Sequence, residues 1–122
     1  MKSLAPYAAL VAVLLAFPAQ AQRGVNLQAR TAGELAELCG TNPKDPLGDA
    51  KINFCHGFAQ GAINVELRHI EGKKPFCFPS SPPSRSATMS EFVNWVRSMP
   101  EHKSLNAVDG FFQFLGERFP CK

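Results

Sequence analysis

The chain has 122 residues, 45% apolar and 19% charged, with 13 basic side chains against 10 acidic ones and four cysteines. That length admits one modest core, and a net charge of +3 with no basic cluster beyond Lys73-Lys74 argues against a nucleic-acid partner. An even cysteine count in so small a chain suits an exported, disulfide-stapled domain better than a cytosolic enzyme.

Residues 1–21, MKSLAPYAALVAVLLAFPAQA, have the form of a cleaved secretory signal: Lys2 near the start, an apolar run, and the small-residue exit Ala19-Gln20-Ala21. The run from Ala8 to Phe17 is too short for a bilayer core of roughly 30 Å, and no second apolar stretch follows. No cysteine stands at the exit to carry a lipid. The expected product is a periplasmic chain starting at Gln22, without a membrane anchor, in which 12 of the 13 basic groups remain. Residues 22–30 show no periodicity and read as a loose arm. Residues 31–122 read as one domain.

Thr31-Ala32-Gly33-Glu34 matches a capping box, in which hydroxyl and carboxylate satisfy amides that a first helical turn leaves free. It predicts helix one, with Leu35, Leu38 and Cys39 inward and a stop at Gly40. GTNPKDPLGD is then a loop on composition. Helix two is predicted from Asp49 to Ile70. Stepping 100° per residue puts Ile52, Cys55, Phe58, Ala59, Ala62, Ile63 and Ile70 on one face, with Gly57 and Gln60 opposite. Gly57 and Gly61 form a small-xxx-small pair around Phe58. That spacing lets a backbone approach closely, from within the subunit or from another copy.

GKKPFCFPSSPPSRSA is punctuated by Gly72 and four prolines, which forbid regular structure. A second box, Thr88-Met89-Ser90-Glu91, predicts the start of helix three, with Phe92, Val93, Trp95, Val96 and Met99 on one side and Pro100 at its end. Helix four is predicted from Asn106, with Val108, Phe111, Phe112, Leu115 and Phe119 on a stripe. Phe114 falls off that stripe, either as an exposed singleton or as part of a partner surface. The fold class is therefore all-α, four to five helices stapled by disulfides. An up-down order brings the end of helix one near the start of helix two, and the flanks of helices three and four near each other. The expected bridges are Cys39 with Cys55 and Cys77 with Cys121.

Catalytic readings find little support. Haem attachment needs a cysteine three residues before Cys55, where Ile52 stands. His56, His69 and His102 are scattered, so no metal is expected. Adjacent Cys55 and His56 diverge by about 100° on a helix, and no G-x-S-x-G occurs. No cofactor is implied. Glu66 falls in the apolar arc of helix two, either as a buried acid or as a group reaching solvent, His69 or a basic partner.

The run C-H-G-F-A-Q-G at 55–61, Phe76-Cys77-Phe78-Pro79 and Arg118-Phe119-Pro120-Cys121, after a helix ending in Cys39, resembles the Rap/Tai family. Those are resistance-associated proteins, immunity partners of type VI secretion amidase toxins. The resemblance spans about residues 31–121. It implies a helical, disulfide-bonded periplasmic protein, frequently a homodimer, that occludes a peptidoglycan amidase and catalyses nothing. The matching motifs are scaffold features, and partner choice usually lives in loops. The loop charges Lys44 and Asp45, then Lys73, Lys74 and Arg85, are the candidate contacts. The alternative is a small acid-stress chaperone whose carboxylates, Glu66 among them, act as a protonation switch.

Overall fold

The computed structural model describes residues 26–122; the signal reading and the beginning of the arm lie outside the described residues. The elements are α1 (Ala32–Cys39), α2 (Gly48–His69), α3 (Arg85–Ser98), a 3-10 helix (Pro100–Ser104) and α4 (Ala107–Arg118). No strand occurs among the described residues beyond an isolated bridge between Thr31 and Asn106.

Helix α1 opens on the predicted capping box. Glu34 N–H donates to Thr31 Oγ1 at 3.1 Å, and the Glu34 carboxylate accepts from the amides of Arg30 at 2.6 Å and Thr31 at 3.2 Å. These backbone donors, Arg30 first and then Thr31, hold the Glu34 pKa below its ordinary value. A lowered carboxylate pKa contributes stability that is complete above the unfolded-state value and is lost as pH falls through the folded one. Thr31→Ala removes the hydroxyl acceptor of the cap and is expected to cost about 1 kcal/mol. Glu34→Gln removes the titrating carboxylate, and its urea midpoint should fall less on acidification than that of the parent. Equal acid sensitivity in the two proteins would count against the box as the titrating unit.

Short as it is, α1 is the central post, packing against α2, α3, α4 and the 3-10 helix. Ala32 and Leu35 are fully buried. Gly110 of α4 fits against Ala32, where an added Cβ would come within 2.8 Å of the alanine methyl. Around this post lie Phe92, Val93 and Val96 of α3, Phe111, Phe114 and Leu115 of α4, and Phe76 from the loop. The bridges run Cys39–Cys55 and Cys77–Cys121.

Several boundaries differ from expectation. Helix α3 begins at Arg85, capped by Ser84 Oγ, which accepts from Ala87 N–H. Thr88 sits one turn inside, its hydroxyl donating to the Ser84 carbonyl. Pro100 does more than end α3: it starts the 3-10 helix, a position where its missing N–H costs nothing. Phe114 is a core residue, 3% exposed, whereas Val108 at the first turn of α4 is 37% exposed. Ala29 packs on the core, and Arg30 C=O accepts from Ala107 N–H, so the end of the arm is tethered.

Candidate functional site

Helix α2 departs furthest from the predicted burial, and that departure creates the surface of interest. Of its 22 residues only Gly48, Cys55 and Ala59 are buried. Its partner α1 has 8 residues, about 12 Å against about 33 Å for α2 at 1.5 Å per residue. The second half of α2 therefore runs past the post, leaving Val65 and Leu67 exposed. Gly57 and Gly61 have nothing within 4 Å of an added Cβ, so neither serves close packing inside the subunit. Phe58 remains half-buried against the core, its ring 6.3 Å from that of Phe54. Glu66 is half-buried just beyond the end of the core.

The loops at the two ends of α2 are built differently. The first is a tight turn: Asn42 Oδ1 accepts from Lys44 N–H, and Asn42 C=O accepts from Asp45 N–H. Leu47 is left-handed at φ 62°, and a Cβ on Gly48 would collide with the Asn42 carbonyl oxygen. Lys44 and Asp45 are exposed on this turn. The second loop is pinned by its aromatic run. Phe76 is 1% exposed, Cys77 N–H donates to Phe119 C=O at 2.8 Å, and Phe78 rests between the rings of Phe76 and Phe119 at 5.4 and 5.0 Å. Lys73, Lys74 and Arg85 are exposed. The candidate loop charges thus fall into two sets at opposite ends of a helix about 33 Å long, not one cluster.

Between the second half of α2, the 78–83 segment and the start of α3 lies a concave, largely apolar groove of about 270 Å³. Arg85 is its one charged lining residue.

A second hollow surrounds His102, a buried residue that the sequence reading passed over as scattered. Its ring stacks on Trp95 at 3.6 Å, and its Nδ1 lies 2.7 Å from the Trp95 carbonyl oxygen. Trp95 Nε1–H donates to Glu117 at 2.7 Å. Ser98 Oγ–H donates to the same Trp95 carbonyl rather than to the imidazole, so the hydroxyl and the base are not engaged as nucleophile and acceptor. These bonds join α3, the 3-10 helix and α4. Among the described residues no group of His, Cys, Asp and Glu could hold a metal ion, and no helix is long and apolar enough to cross a membrane.

A family model described as Rap1a immunity proteins matches residues 31–121, from the α1 cap to the last cysteine. No curated protein and no solved structure matches the chain.

Proposed function

The chain belongs to the Rap1a immunity protein family, and we propose from this that it protects the cell that makes it by binding a secreted peptidoglycan amidase in the periplasm and occluding its cleft. The family match is the observation that carries the reading. Two disulfides suit an exported or periplasmic protein, and an inhibitor of this kind is not itself an enzyme. The docking face is the groove side of the second half of α2 with the adjoining 73–85 loop, where Leu67 and Phe78 leave apolar surface in water. The turn bearing Lys44 and Asp45 lies at the far end of α2 and belongs to a separate contact, if a large partner spans the helix.

The test is coexpression. Cells carrying a periplasm-directed type VI amidase toxin should lyse, and cells that also export this chain should grow. Unchanged lysis with a panel of such toxins, at verified periplasmic levels of folded chain, would remove the reading.

Homodimerisation is part of the same proposal. Phe54, Phe58, Gly61 and Val65 recur at spacings of four and three along α2, a seam on which a second α2 can lie. Sedimentation should give a dimer mass. Val65→Asp should raise the dimer dissociation constant at least about tenfold, by desolvating an unpaired charge, while leaving the circular dichroism spectrum unchanged. A parent that is monomeric across the concentration range would eliminate the dimer. The acid-stress alternative is not favoured: Glu66, its candidate switch, sits at the margin of the core rather than within it.

A further inference from the structure

We propose that the groove between α2 and the proline segment is an anchor pocket for one large apolar side chain with a carboxylate on a neighbouring residue, presented by the protein this chain neutralises. The identity of the occupant's carrier rests on the immunity reading above; the chemistry of the pocket does not.

The floor of the groove consists of core residues that remain in contact with it: Ala59, Met89 and Phe111. Ile63 and Phe78 form its sides. An occupant would thus extend the hydrophobic core outward. About 270 Å³ lies just below the roughly 300–1,000 Å³ of small-molecule sites. That is room for a side chain rather than a cofactor. Arg85 is the one charged lining residue and it is exposed, so a charge inserted against the apolar floor would lose its hydration without compensation. The inserted part is therefore apolar.

Arg85 decides the sign of what lies beside it. It lines the groove at the exposed start of α3 and has no hydrogen bond or ion pair among the described residues. The other rim side chains, Gln60 and Asn64, are neutral. The wall also excludes one common mode of peptide recognition. Pro82 and Pro83 have no N–H, so this segment cannot serve as a sheet edge for strand addition, which leaves side-chain anchoring.

Both walls are held before anything binds. Cys77–Cys121 and the Phe76–Phe78–Phe119 cluster fix the proline segment, and Cys39–Cys55 fixes α2. A preformed pocket loses little ordering entropy on binding. Single side chains are therefore usable probes.

The oxidised, folded protein would be titrated at low salt with N-acetyl-Phe-Asp-amide and N-acetyl-Phe-Lys-amide, followed by amide and methyl NMR shifts. Saturable shifts are expected at Ala59, Ile63 and Met89, with the Asp peptide bound roughly 1.5- to fivefold more tightly than the Lys peptide, the range of an exposed ion pair. Arg85→Glu should reverse that preference, and Ile63→Asp should weaken both peptides at least about tenfold. Unchanged near-UV circular dichroism checks that each variant is folded. Absence of saturable shifts at these positions up to tens of millimolar, about the weakest affinity such a contact can have, would overturn the proposal. So would a preference that Arg85→Glu leaves unaltered. Peptide binding without cell protection would keep the pocket and remove the immunity reading; protection without peptide binding would do the reverse.

Discussion

Phe92→Ala is expected to lower the unfolding free energy by about 3–5 kcal/mol, the range for deleting a buried aromatic ring whose site cannot fully collapse. Phe92 is 0% exposed. Its ring meets Phe111 at 5.5 Å and Phe114 at 5.6 Å edge-on, and lies 6.3 Å from Trp95. Truncation removes the transfer free energy of the ring and the aromatic contacts together, each contact worth about 0.5–1.5 kcal/mol. Against a total of roughly 5–15 kcal/mol for a domain, the variant should be at best marginally folded. Urea unfolding with both disulfides intact would measure the loss, with Val65→Ala as the comparison. Val65 is 61% exposed, and at protein concentrations low enough to keep the chain monomeric its truncation should stay within about 0.5 kcal/mol. Similar losses at the two positions would mean that α2 is packed on its outer side in the folded monomer, contrary to the burial pattern here.

Local chemistry made α1 readable. Thr31, Glu34 and the amides of Arg30, Thr31 and Glu34 act within five residues of chain, so the pattern alone specifies the bonds. The same reasoning misplaced the start of α3, because Thr88-x-x-Glu91 has the form of a box while Ser84 caps four residues earlier without any acidic partner. What decides between them is tertiary: starting at Arg85 buries Thr88 and Met89 as well as Phe92. Phe114 was misjudged for a related reason. A single stripe assumes one neighbour, whereas α4 packs on both α1 and α3, and two neighbours bury a wider arc. Pro100–Ser104 has no hydrophobic period at all, and the stacking of His102 on Trp95 joins residues seven apart across a chain reversal.

The candidate site was the least legible part, because periodicity reports which side of a helix is apolar and not what lies opposite. Ile63, Phe58 and Ala62 of α2 share the predicted inward face, yet the partner α1 ends too early to cover the whole of it. The glycines illustrate the same gap: Gly57 and Gly61 suggest close packing, and the structure leaves them facing open space. Loop charges marked the ends of α2 as candidate contacts. The groove, made of residues from three separate segments, is visible only once the fold is known.

The two disulfides should differ in how their loss is felt more than in its size. In the loop-entropy description, sequence separations of 16 and 44 correspond to about 3 and about 4 kcal/mol. The advantage of the longer loop is partly offset because Cys55 is 1% exposed, so removing its sulfur also leaves unfilled space. Anchoring separates the two cases. Helix α2 buries only Gly48, Cys55 and Ala59, so Cys39→Ala/Cys55→Ala removes its main attachment to α1. The α3–α4 aromatic core is untouched. That variant should show fast amide exchange throughout α2 at denaturant levels where Phe92, Phe111 and Leu115 stay protected, a sub-global opening. In Cys77→Ala/Cys121→Ala, Phe76 still sits in the core and Cys77 N–H still reaches Phe119 C=O. Its unfolding should remain one cooperative transition, shifted downward by about 3–4 kcal/mol. Uniform exchange across α2 and α4 in the first variant would show that α2 is held by packing rather than by its bridge. Since α2 forms one wall of the groove, that same variant should lose binding of the Phe-Asp peptide before it loses its fold.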